Sequence, residues 1–171
     1  MRREEGFTLS ELLVACLVMS ILLGLGAYSL RRYWQTRALH GSIDEVVSEL
    51  RTEQQKASSE SHPWVWGVWF KQGSGRWGVV RGNASTGTCA LQSRRSLPAS
   101  VTFAGASFAD VTSPGLSASC ANEAEAGAEV ALFFPRGTAT EGSVSLRHLE
   151  VGGGAARTIT VSPITGRVTS P

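Results

Sequence analysis

The polar and apolar positions change rhythm twice along this chain. From Phe7 to Leu30 there are 24 residues with one charge, Glu11, and with Thr8, Ser10, Ser20 and Ser29 as the other polar side chains. A helix over this stretch is roughly 36 Å long, enough to cross a bilayer core of about 30 Å with some tilt. After Leu30 the pattern becomes one-sided. Leu39, Ile43, Val46, Val47, Leu50 and Ala57 fall on one helical face, while Asp44, Glu45, Glu49, Arg51 and Glu53 are assigned to the other. Ser61-His62-Pro63 is the expected stop, because the residue before a proline disfavours helix. The pattern predicts one helix over residues 7–60, about 80 Å long. Its first part is apolar all round (7–30) and its second is amphipathic (31–62).

From residue 63 the pattern is that of strands. Trp64–Phe70 is β-branched and aromatic, and Trp77–Arg81 returns after a Gly-Ser-Gly turn. Thr88–Gln92 and Ser100–Ala104 are weaker strand candidates. Glu129–Phe134, Ser143–Val151, Arg157–Ser162 and Ile164–Val168 complete the set. Ala106–Ala128, rich in Ser, Ala, Gly and Glu, reads as a long loop pinned by Cys120. Within the first strand Trp64 and Trp66 share one face and Trp69 takes the other. Their expected role is core packing, weighed against an exposed aromatic platform for a partner or a nucleic-acid strand. The predicted fold class is α+β: a long N-terminal helix on a small antiparallel β-rich head (63–171).

The flanks of the apolar run exclude an ordinary secretory signal. Such a signal has a shorter apolar core followed by a small-residue cleavage site, and no Ala-x-Ala follows here. The small residue at the sharp polarity change is Gly6, in front of the run and behind the charged leader Met1–Glu5. A cut after Gly6 removes residues 1–6, leaves the helix attached, makes Phe7 the new N-terminus and makes Glu11 the fifth mature residue.

Gly6-Phe7-Thr8-Leu9-Ser10-Glu11-Leu12-Leu13, behind a charged leader and ahead of a long apolar helix, resembles the class III signal of type IV pilins and type II secretion pseudopilins. The resemblance implies a pilin-like fold, cleavage between Gly6 and Phe7 by a prepilin peptidase, and N-methylation of Phe7. It also implies that Glu11 serves assembly with other pilins or pseudopilins through the N-terminal helix. An ordinary single-pass anchor with a chance glutamate is the competing reading. Physics agrees with the family's use of this glutamate. A carboxylate in an apolar bundle is costly alone, and the Phe7 amine of a neighbouring subunit can compensate it. Where many major pilins carry a helix proline, this chain has Tyr28; Gly24 and Gly26 can soften the helix or let others pack closely.

The net charge is +2 and stays +2 without the leader, since Arg2 and Arg3 cancel Glu4 and Glu5. That is too mild to imply nucleic acid by itself. Arginines flank the apolar run on both sides, so the positive-inside rule does not orient it. Of three cysteines, Cys16 lies in the apolar run, and Cys89 and Cys120 are the only two in the head. In an oxidising compartment these two can pair, closing a loop worth roughly 3.5 kcal/mol; two unrelated free thiols are the alternative.

The head carries a second resemblance. Phe133-Phe134-Pro135-Arg136-Gly137-Thr138, then Thr158-Ile159-Thr160-Val161 and Gly166-Arg167-Val168, are similar to the minor pseudopilin GspH/FimT family, which has a F-x-P-x-G turn and a C-terminal G-R hairpin. Some members of that family bind DNA through Gly-Arg-x-Arg. Gly166 and Arg167 match, but Thr169 stands at the second arginine. Arg167 is therefore a candidate phosphate contact, joined by Arg157, Arg94 and Arg95 if they cluster.

Signals for catalysis are missing from the sequence. Gly73-Ser74-Gly75-Arg76-Trp77-Gly78 matches G-x-G-x-x-G as a string but lies between two strands with no helix after it. His40, His62 and His148 have no metal spacing, and no G-x-S-x-G elbow occurs. Glu123, Glu125 and Glu129 read as a solvated run. The expectation is a non-enzymatic minor pilin or pseudopilin without cofactor or metal. It would sit single-pass in the inner membrane with its head outside the cytoplasm, or be built into a pilus or pseudopilus. The alternative is a DNA-binding minor pilin for uptake.

Overall fold

The computed structural model describes residues 9–109, 115–149 and 156–170. The leader, Gly6, Phe7 and the end of the predicted strand at Val151 lie outside the described residues. Helix α1 runs unbroken over Leu9–Ser59, 51 residues and about 77 Å. It stops just short of Pro63, with the amide of Glu60 still bonded to the carbonyl of Lys56 at 3.0 Å.

The strands are β1 (Trp64–Lys71), β2 (Arg76–Asn83), β3 (Thr88–Ser96), β4 (Val101–Phe108), β5 (Ala128–Phe133), β6 (Gly142–His148), β7 (Arg157–Val161) and β8 (Val168–Thr169). They form two antiparallel four-stranded sheets, in the orders β3-β2-β1-β5 and β4-β6-β7-β8. The alternating pattern of β1 decides which face meets which helix. Trp66, Val68 and Phe70 point into the core that the amphipathic half of α1 closes, together with Phe103, Leu146 and Ile159 of the second sheet. Phe70 joins the two sheets by edge-to-face contact with Phe103, ring centroids 5.3 Å apart. Val65 and Trp69 point the other way, into a second cluster. The tryptophans are therefore split between two faces, as the period of two requires.

That second cluster is closed by a helix where the sequence suggested a loop. Helix α2 spans Leu116–Ala124 inside the stretch read as irregular. Leu116, Cys120 and Ala124 repeat at four-residue intervals and are all buried. Two of these three side chains are small, so the apolar stripe was faint beside the surrounding Ser, Ala and Glu. Packing supplies what propensity does not. Cys120 is bonded to Cys89 of β3, with Cα atoms 4.9 Å apart, which fastens α2 to the sheet. The weaker strands are longer than the sequence predicts, and the final strand is shorter and later than Ile164–Val168, at Val168–Thr169.

The seam between α1 and the first sheet is partly polar. Arg95 reaches Glu49 at 3.0 Å and lies 5.3 Å from the Trp77 ring centre. Lys56 reaches Glu53 at 2.6 Å and lies 4.9 Å from the Trp66 ring centre. Arg81 reaches Glu60 at 2.9 Å and packs 4.1 Å from Trp64 and 5.4 Å from Trp66. Each cation is thus shared between a helix carboxylate and an indole face. Glu53 corrects the sequence assignment. It is fully buried, because it continues the series Val46, Leu50, Ala57 on the core face. Burial pushes its carboxyl above the ordinary value, and the hydrogen bond from Lys56 only partly opposes this.

Candidate assembly helix and processing site

All fully described positions of α1 from Leu9 to Leu30 are exposed, including Leu12, Leu13, Val14, Leu17, Val18, Ile21, Leu22, Leu23 and Leu25. The reason is compositional. The head has one amphipathic face of α1 to cover, and that face starts at Leu39. Among the described residues, nothing in the head folds back over the first half, so this stretch presents apolar surface on every side. It is apolar and long enough to cross a membrane.

Glu11 sits in the first turn of α1, where the positive end of the helix dipole favours a carboxylate. It borders an open recess of about 370 Å3 with Ser10, Val14 and Ala15. The flanking surface is Leu9, Leu12 and Leu13, all more than half exposed. A partner that buries this surface must therefore also desolvate a carboxylate. Gly6 and Phe7 lie outside the described residues, directly ahead of this turn.

In the head, the residues singled out for phosphate contact are not brought together. Arg167 is exposed in the turn between β7 and β8, its amide on Thr165 Oγ1 at 3.3 Å and its carbonyl accepting from Ser162. Arg157 opens β7 at the far end of that strand, about five residues or roughly 17 Å along. Arg94 donates to the carbonyl of Ala124 and Arg95 to Glu49, both on the other sheet. The Gly166 turn has its own structural reason. Gly166 has φ 60°, and a Cβ there would meet Gln54 Nε2 at 2.9 Å and the Gly137 carbonyl at 3.0 Å. Gln54 of α1 also donates to the Thr165 carbonyl at 3.0 Å. The two glycine turns thus dock on each other and on α1.

The G-x-G-x-x-G string is likewise structural. Gly73 and Gly75 make the β1–β2 turn, and Gly78 leaves room for the backbone carbonyl of Ser93 and for the indole nitrogen of Trp69, both of which a Cβ there would meet. No group of three or more His, Cys, Asp or Glu side chains placed to hold a metal occurs among the described residues.

A family model described as the prokaryotic N-terminal methylation motif matches residues 1–27. Neither a curated protein nor a solved structure matches the chain. The matched residues take in the leader, Gly6, Phe7 and Glu11, and end inside the exposed apolar half of α1. A prepilin leader implies processing by a prepilin peptidase and a membrane-anchored precursor. The leader, the protruding apolar helix and the antiparallel head it packs on make this a type IV pilin-like protein, with a pilin-like α+β fold.

Proposed function

We propose that this protein is a minor pilin or pseudopilin of the GspH/FimT kind. It inserts in the inner membrane with its head outside the cytoplasm and is cut between Gly6 and Phe7. It is then methylated on Phe7 and built through α1 into a type IV pilus or a type II secretion pseudopilus. The observation that carries the reading is the apolar half of α1, exposed on all sides with Glu11 in its first turn, behind a methylation motif. Such a helix needs a solvent of its own kind: lipid before assembly, other helices after it. In a helix bundle the Phe7 amine of one subunit and Glu11 of the next would compensate each other's desolvation and fix their register. The Cys89–Cys120 bond supports a head in an oxidising compartment. A role in DNA uptake remains the second reading, supported by the exposure of Arg167 beside Gly166. Intact-mass analysis of the membrane-extracted protein tests the main reading. It should show a chain starting at Phe7 and carrying one added methyl group. A chain still starting at Met1 in cells that hold a prepilin peptidase refutes it.

A further inference from the structure

Between the apolar span and the head lies a short exposed neck. Its sequence, Arg31-Arg32-Tyr33-Trp34-Gln35-Thr36-Arg37-Ala38, carries three arginines, and the next acidic residue is Asp44. Tyr33 is 55% and Trp34 60% exposed, their rings in edge-to-face contact at 6.2 Å. Arg37 donates to the Tyr33 hydroxyl at 3.3 Å, and Arg31 and Arg37 are both exposed. Full burial against the head begins at Leu39. Two large aromatics bare to water are hard to explain in a simple spacer.

Position supplies the explanation. Leu9–Leu30 rises about 33 Å, close to the thickness of a bilayer core. Residues 31–37 then rise about 10 Å, through a headgroup layer of roughly 5–8 Å. Tyr and Trp favour that layer, where the ring meets acyl chain and the polar tip meets water. Arginines at this height face lipid phosphates, which accept their planar forks.

We propose that this neck is a docking surface for anionic phospholipid headgroups of the leaflet on the head side. Arg31 and Arg37 bind the phosphates, and Tyr33 and Trp34 fix the depth of the helix. The inference rests on the membrane-inserted reading given above. It also places Glu11, about 28 Å below Leu30, near the opposite face of the bilayer, next to the cut site.

The test uses the full chain reconstituted in phosphatidylcholine vesicles, with or without one fifth phosphatidylglycerol. Resistance to carbonate extraction reports insertion. Spin-labelled phosphatidylglycerol and phosphatidylcholine report which lipid the protein prefers at its boundary. The wild type should favour the anionic lipid severalfold, since each basic residue near a charged surface is worth roughly fivefold. R31Q/R37Q should bring the ratio to near that of the neutral lipid, R31K/R37K should keep most of it, and high salt should weaken it. An inserted wild type with no preference overturns the proposal alone. So does a preference that R31Q/R37Q leaves unchanged. A chain that carbonate extracts removes both the proposal and the membrane reading beneath it.

Discussion

Replacing Glu53 by Gln should stabilise the head at neutral pH. The Glu53 side chain has no exposed surface, and only one of its oxygens is bonded, to Lys56 at 2.6 Å. Its second oxygen, Oε2, is buried without a hydrogen-bond partner among the described residues. An unsatisfied buried polar group costs about 1–3 kcal/mol, and more when it is charged. Against this stands the ion pair with Lys56, whose own side chain is 45% exposed. A pair so open on one side contributes about 0–1 kcal/mol. Gln keeps a polar atom at that unpartnered place and removes only the charge, whose extra desolvation outweighs the ion pair, so Glu53→Gln should raise stability by about 1 kcal/mol at pH 7. In a domain of this size that is a rise in Tm of roughly 3–8 °C.

The pH dependence gives an independent check. Burial raises the folded-state pKa of Glu53 above its ordinary value of 4.5. The folded state then holds the proton more tightly than the unfolded chain. The stability this contributes is complete below the unfolded value and is lost as pH rises through the folded value. Thermal melts of the full chain in detergent, at pH 4 and at pH 7.5, should show the variant's advantage at the higher pH and little at the lower. An equal effect at both values, or a loss of more than about 1 kcal/mol at pH 7.5, refutes the reasoning. The second outcome would mean that the carboxylate is worth more to the seam than its desolvation costs.

Three further outcomes follow from other parts of the molecule. Glu11→Val should leave cleavage and membrane insertion intact but cut incorporation into filaments severalfold, measured by shearing and immunoblot; assembly at the wild-type level would remove the amine–carboxylate pairing. Replacing both Cys89 and Cys120 by Ala should lower stability in urea by about 3–4 kcal/mol, the loop-closure value for their separation of 31 residues. A loss below about 1 kcal/mol would mean that packing alone holds α2. Duplex DNA should bind the purified full chain weakly or not at all at 150 mM salt, roughly physiological strength, because Arg157, Arg94 and Arg95 do not join Arg167 on one surface. Binding near micromolar that Arg167→Ala abolishes would put DNA uptake first.

What could be read from the sequence depended on how loud each periodicity was. Leu39, Ile43, Val46, Val47, Leu50 and Ala57 were all legible as the core face of α1, and all six are buried. The split of Trp66 and Trp69 between two sheet faces followed from alternation alone. Glu53 was misplaced because a charge argued louder than its position, although Val46, Leu50 and Ala57 bracket it on the core stripe. Helix α2 was missed because Leu116, Cys120 and Ala124 form a stripe of mostly small side chains. The signal that could have found it was their four-residue spacing around Cys120. The pairing of Arg95 and Arg81 with carboxylates and indoles, and the seat of Lys56 on Trp66, were beyond sequence reading, since they depend on how sheet and helix cross. At the N-terminus the reverse held, for there the chemistry is local and one short motif carries it.

One helix thus serves two environments, and its halves are held by different means. On the proposed reading the first half leaves lipid for other helices, so it needs little that is specific except Glu11. The second half must then hold its place on the head while the first is moved. Hydrophobic contacts alone would resist a slip weakly, because Val46 and Leu50 can take each other's places one turn along. The polar seam discriminates. A slip of one turn, about four residues or 6 Å, that carries Lys56 to the place of Glu60 sets it against Arg81. The same slip carries Glu53 into the buried place of Ala57. The opposite slip takes Glu60 away from Arg81 and leaves that cation on its tryptophans without a carboxylate. Like-charge contact and an unpaired buried group are the penalties that separate one register from its neighbours. The charged residues in this seam add little net stability, but they fix where along α1 the head is mounted, and so how far the apolar half protrudes.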